Sequence, residues 1–249
     1  MPAPILLPTN RLEAGTVTVT GAAAGKPKER LFDRDITLPW VDSSASGNRD
    51  VKLDLGPGTT LAIDTLVLAA GHNLTGVSCA WASSPDDAVY TDRATFAPAS
   101  AALVRQAFAS QTFRYWRFRM ASPGVPPSIP ELFASLAVAL PDAPALGGDD
   151  GLRANVLDHE SYAGYVWSLK RGAERWVARY PFPLLPAADK TALLAAFSAL
   201  AGGAKAFYLV DREGTTRWAR WPAREPRFRS VGTGQGVHYS GVLELEEAL

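Results

Sequence analysis

In the first part of the chain, clusters of Gly, Pro, Asn, Asp and Ser recur so closely that no element can be long. They are SSASGNRD at 43–50, GPG at 56–58, GHN at 71–73 and SPDD at 84–87. These residue types supply the positive φ angles and side-chain-to-backbone bonds that reverse a chain. Between and around them lie short apolar segments: GTVTVTG, VKLDLG, TLAIDTLVLAA, VSCAWASS and FRYWRFRM. In VKLDLG the alternation is clean, with Val51, Leu53 and Leu55 on one face and Lys52 and Asp54 on the other. Short strands at this spacing predict an antiparallel β-sandwich. Ala99 to Ala109 is the one place where this half is expected to make a helical turn or two.

FRYWRFRM, Phe113 to Met120, reads in two ways. Read as one strand, it sends Arg114, Trp116, Phe118 and Met120 to one face and Phe113, Tyr115, Arg117 and Arg119 to the other. Aromatics alternating with Arg would suit stacked bases and phosphates. Composition argues for the other reading: 25 basic and 25 acidic residues leave no net charge and no global field for nucleic acid or an anionic membrane. The expected arrangement is a sandwich strand with Trp116, Phe118 and Met120 in the core and Arg117 and Arg119 lying across the outer surface.

A change of texture at PDAPALGGDDG, residues 141–151, marks the expected boundary: domains at 1–142 and 152–249, with 143–151 as linker. The second half opens with an expected hairpin, YAGYVWSLKRGAERWVARYPF, turning at Lys170 to Ala173. Pro186 then precedes AADKTALLAAFSAL, where Leu193, Leu194, Phe197 and Leu200 fall at helical spacing, and Gly202-Gly203 stops the run. Strands AKAFYLVD, TTRWARW and VHYSGVLELEEAL follow, joined at Arg212-Glu213-Gly214 and by GTGQG. The fold class is therefore mostly β: a β-sandwich first, then an α+β domain with one helix packed on an antiparallel sheet.

Motifs that carry chemistry are missing from the linear sequence. GAAAGKP at Gly21 is one residue short of a phosphate loop and has Pro27 where a Mg²⁺-binding hydroxyl would stand. His72, His159 and His238 are far apart, and Cys79, the single cysteine, sits in a strand-like run that predicts a buried, inert thiol. Asp86-Asp87, Asp149-Asp150 and Glu244, Glu246 and Glu247 are the candidate carboxylates for a hydrolase, but the first two pairs lie in turn-like passages where solvated Asp is ordinary. The reading is a protein with no enzymatic activity, no cofactor and no metal. Arg212 to Arg229 interleaves Arg217, Arg220, Arg224 and Arg227 with Trp218 and Trp221. Arg and Trp anchor interfaces, so Arg217, Trp218, Arg220 and Trp221 are the expected subunit contact, with a solvated hairpin as the alternative.

Taken in order, LFDRDITLPW, VKLDLG, TLAIDTLVLAAGHNLTGVSCAWASSPD and FRYWRFRM, spanning Leu31 to Met120, resemble the discoidin or galactose-binding-like jelly roll. RYPFPLL, AAFSAL, GGAKAFYLVDREG and the terminal YSGVLELEE, within Tyr162 to Ala248, resemble the small β domain of bacteriophage distal tail and minor tail proteins. In many distal tail proteins that domain comes first; here it comes last. The resemblance implies a structural component of a phage or prophage-like tail tip or baseplate, made in the host cytoplasm without a signal peptide and carried in the virion. Its expected partners are itself, as a hexameric or trimeric ring, the tail tube and the baseplate hub, with no membrane and no sequence-specific nucleic acid. The alternative is a carbohydrate-binding module holding host glycan on loops at one end of the sandwich, with Trp40, His72, Asn73 and Trp81 as candidate ligand residues.

Overall fold

The computed structural model describes residues 3–140, 149–153, 156–160, 166–170, 175–222, 226–233 and 236–248. It divides into two compact units, Leu7–Val138 and a second made of residues 1–6 with 139–249. The expected split at 142 and 152 thus misses the N-terminus: strand β1 (Ile5–Leu7) lies in the sheet of the second unit. Most of the expected linker, 143–148, lies outside the described residues.

The sandwich is built from β2 (Thr16–Val19), β3 (Trp40–Val41), β4 (Arg49–Asp54), β5 (Leu61–Leu68), β6 (Cys79–Ser84), β7 (Thr91–Phe96), β8 (Val104–Phe113), β9 (Tyr115–Met120), β10 (Ser128–Ile129) and β11 (Leu132–Ser135). One sheet runs β2-β4-β9-β6-β7, a second β11-β5-β8, and β3 pairs with β10. The antiparallel register sets Val51 opposite Phe118 and Leu53 opposite Trp116. Their inward faces meet Ile63, Leu66, Leu68 and Leu132 of the second sheet in one apolar core. Trp116, Phe118 and Met120 are fully buried, as their alternation predicts. The run is not one strand, however: Phe113 ends β8, Arg114 sits at the break, and β9 starts at Tyr115. Phe113 packs edge-on against Trp116 at 6.2 Å, on the core side and not the outer one, while Trp81 stacks on Trp116 at 5.6 Å. The expected helical turn within 99–109 is also replaced, since Val104 to Ala107 pair with β5.

A buried polar clamp ties the start of the sandwich to its end. Asn10 accepts from the backbone N–H of Leu12 and Ala134, each at 3.2 Å, and donates to the Leu132 carbonyl and to Glu131 Oε1, each at 2.9 Å. Glu131 takes a further N–H from Arg34 at 3.2 Å. Burial pushes the Glu131 carboxyl well above the usual carboxylate range.

The second unit adds β12 (Val138–Ala139), β13 (Asp149–Arg153), β14 (Val156–Glu160), β15 (Val166–Lys170), β16 (Arg175–Pro186), α1 (Ala187–Ala199), β17 (Phe207–Val210), β18 (Thr216–Arg220), β19 (Phe228–Thr233) and β20 (Gly236–Glu247). Its main sheet runs β12-β1-β17-β18-β20-β16-β13, with β19 also paired to β20. The helix follows Pro186, buries Leu193 and Ala196, and ends before Gly202 and Gly203, whose φ values of 68° and 86° are left-handed. The expected hairpin between the segments at 166 and 175 does not pair that way. β15 pairs with β14, and β16 with β13, so the hairpin is longer and starts earlier; its expected turn, 171–173, lies outside the described residues.

Candidate functional site

Alternation in β4 sends Asp50, Lys52 and Asp54 to the outer face of the five-stranded sheet, and the register places Arg119, Arg117 and Tyr115 opposite them. Asp50 receives both Nε and Nη2 of Arg119, at 2.9 and 3.0 Å, and Asp54 receives the same pair from Arg114 at 2.7 and 3.0 Å. The Arg114 hydrogen bonds hold the Asp54 carboxyl below the usual carboxylate range. The middle row differs, because Lys52 stands opposite Arg117 and like charges face each other across the strands. Lys52 is relieved by Asp87 Oδ1 at 2.9 Å, from the loop between β6 and β7.

That loop is folded by its own aspartates. Asp86 accepts from the Ser84 hydroxyl at 2.9 Å and from the N–H of Ala88 and Val89 at 3.0 and 3.3 Å. Asp87 takes the left-handed conformation, with φ at 64°, which Asp tolerates better than most residues. The turn delivers half-buried Tyr90 onto the sheet: its hydroxyl donates to Asp87, its ring centre lies 4.0 Å from the Arg117 guanidinium carbon, and Lys52 Nζ is 5.5 Å away. Burial, and then Asp87, push the Tyr90 hydroxyl far above its ordinary range, so it stays a donor. Arg114 covers the Tyr115 ring at 4.5 Å. Of the Arg114, Arg117 and Arg119 side chains, only that of Arg117 has no hydrogen bond or ion pair among the described residues, and its Nε is buried without an acceptor. The face therefore gathers a partly exposed aromatic ring, a guanidinium without a carboxylate partner, an ammonium and a carboxylate.

The residues expected to hold a ligand lie elsewhere. Trp40 and Trp81 are fully buried, so neither ring presents a surface; the large apolar side chains that suggested a sugar platform fill the core instead. His72 is buried, its Nε2 bonded to the Ala102 carbonyl at 3.0 Å and its Nδ1 accepting from the Leu74 N–H at 3.2 Å. Burial lowers its pKa. Asn73 is exposed, but its amide bridges the Pro126 carbonyl at 2.9 Å and the Ser128 N–H at 2.7 Å. Trp40 and Trp81 thus fill the core, while His72 and Asn73 brace loops.

The two tryptophans of the expected interface are likewise turned inward. Trp221 packs on Phe197 at 5.0 Å and Trp218 on Tyr208 at 4.6 Å, both within the core of their own unit. Arg217 donates to the buried Asp211 at 2.8 Å and lies 4.8 Å from the Trp176 ring, and Arg220 pairs with Glu246. Arg224 lies outside the described residues. Cys79 is buried, which pushes its thiol up to about 12. Among the described residues no group of His, Cys, Asp and Glu could hold a metal ion, and no helix is long and apolar enough to cross a membrane.

No family model and no curated protein matches the chain. Solved structures that resemble part of it include chitosan-binding module 1 of a chitosanase/glucanase from Paenibacillus sp. IK-5, at 18% identity over 51% of this chain and 98% of that one, with a TM-score of 0.43. CpGH89CBM32-5 from Clostridium perfringens, in complex with GalNAc-β-1,3-galactose, is 15% identical over 53% of this chain and 99% of its own, with a TM-score of 0.44. The CBM32 of AlyQ, in complex with 4,5-unsaturated mannuronic acid, is 19% identical over 48% and 92%, with a TM-score of 0.39.

Proposed function

We propose that residues 7–138 act as a carbohydrate-binding module, with glycan held on the outer face of the five-stranded sheet around Tyr90 and Arg117, and that the chain works by binding and not by catalysis. One observation carries the reading: Tyr90, Arg117, Lys52 and Asp87 meet in a single surface cluster. A sugar ring offers C–H surface to an aromatic face and hydroxyls that both donate and accept. Such a ligand needs the aromatic surface and the mixed donors and acceptors found together here. Of the carboxylates considered for hydrolysis, three are already engaged within the fold, which favours binding over catalysis. Asp86 is committed to its turn, Glu246 to Arg220, and Glu247 to the Trp176 N–H at 3.1 Å.

A glycan array followed by calorimetry on the best ligand tests it. Tyr90→Ala and Arg117→Ala should each weaken binding by about tenfold, while thermal melts stay within a few degrees of the parent. Absence of any glycan ligand, or unchanged affinity in both variants, would sink the proposal.

A second reading, a ring subunit of a phage tail tip or baseplate joined to the tail tube and hub, rests on the resemblance of residues 162–248 to the small β domain of tail proteins, and none of the solved structures named above supports it. Light scattering over a concentration series, with negative-stain images, tests this reading: a closed hexamer or trimer supports it, and a monomer at every concentration removes its support.

A further inference from the structure

The second unit carries a groove of about 590 Å³ that neither reading uses, walled by β16, β20 and the start of β19. Its floor is apolar and rigid: Pro181 stands opposite Val242 across the strands, with Pro183 and Pro226 beside them. Proline offers no N–H, so this surface favours side-chain contacts over the addition of a strand. The rim is basic. Arg227 and Arg229 are exposed, and their side chains have no hydrogen-bond or ion-pair partner among the described residues. Their i, i+2 spacing along an extended chain is about 6.6 Å, the repeat of alternate side chains in an extended peptide. Among the described residues Glu244 is the one acid lining the groove; it is 3.5 Å from Arg179, both are about three-fifths exposed, and the described rim carries an excess of positive charge.

We propose that this groove docks an extended acidic segment of a partner protein, with carboxylates at alternate positions on Arg227 and Arg229 and the intervening apolar side chains on Pro181 and Val242. Complementary charge sets the encounter rate and the partner's sign, and the apolar floor supplies the desolvated contact. The same two arginines face solvent while Trp218 and Trp221 face the core, so the interface potential of this basic segment lies further along the chain than its tryptophans suggest.

Fluorescence anisotropy on the full chain provides the test, with a fluorescein-labelled short peptide alternating Glu with Leu and Pro, and a counterpart carrying Lys at every Glu position. The acidic peptide should bind, the Lys peptide should not, and the Arg227→Glu/Arg229→Glu variant should weaken binding by about tenfold. Val242→Asp, a second route to the same surface, should weaken it as well, with circular dichroism melts checking that both variants fold. Equal binding of the two peptides, no binding of either, or full affinity in the double variant overturns the proposal. A single-stranded DNA oligonucleotide that binds more tightly than the acidic peptide, and loses affinity in the double variant, also overturns it.

Discussion

Trp116 shows what a single side chain does in the sandwich. It is fully buried, stacked with Trp81, met edge-on by Phe113, and its Nε1 donates to the Phe113 carbonyl at 3.1 Å. Trp116→Ala should cost about 3–5 kcal/mol, read as a lower midpoint in denaturant melts. A variant that melts like the parent would contradict the core assignment. Two titratable residues pull stability in opposite directions with pH. His72 has a folded pKa below its unfolded value of about 6.5, so the unfolded chain binds the proton more readily and stability falls as pH drops below that value. Glu131 has a folded pKa above its unfolded value of about 4.3, so stability is full below that pH and is lost as pH rises toward the folded value. Measuring unfolding free energy against pH should show a shallower acid-side loss in His72→Asn and a shallower loss on raising pH in Glu131→Gln. Unchanged slopes in either variant would mean that the residue does not set the dependence.

At the scale of elements, local periodicity was enough where packing follows one short repeat. The two-residue alternation of Val51, Leu53 and Leu55 and the helical spacing around Leu193 both correspond to the observed elements. Residues 104–113 lack such a signal, being rich in Ala, Gln and Ser, and their strand is set by pairing with β5, a contact between distant segments. The Tyr90 cluster was illegible for the same reason. Its members come from β4, β9 and a turn, and only the register brings a lysine opposite an arginine beneath that ring. Trp40 and Trp81 are buried in the core, and a sequence does not by itself distinguish an aromatic platform from an aromatic core. Close approach of elements is tested at Gly15, next to the start of β2: a Cβ there would lie 2.5 Å from the Asp54 carbonyl oxygen and 2.8 Å from Leu53 Cδ1. Gly15→Ala should force β2 away from the end of β4 and cost about 1–3 kcal/mol in a thermal or denaturant melt.

For the whole molecule, the texture change near residue 141 lies close to the boundary between the two compact units at Val138 and Ala139, and it carries no signal for the first strand. Ile5–Leu7 is too short to declare its sheet, and only the paired order β12-β1-β17 assigns it. A fragment of residues 7–138 should unfold cooperatively by itself, since the core and the Asn10 to Glu131 clamp both lie within it. A fragment of 138–249 should be markedly less stable than the same fragment supplied with residues 1–7 as a peptide, because alone it lacks the strand between β12 and β17. Equal melts with and without the peptide would show that β1 contributes nothing to that sheet.

Chain order gives β1 a temporal role. The ribosome releases Ile5–Leu7 early, yet β17, which flanks it in the finished sheet, begins only at Phe207. At typical synthesis speeds of ~5–20 residues per second, that neighbour arrives roughly 10–40 s later. The sandwich has time to form first, while the Ile5–Leu7 strand, whose Leu6 and Leu7 end fully buried, must wait for most of its own sheet.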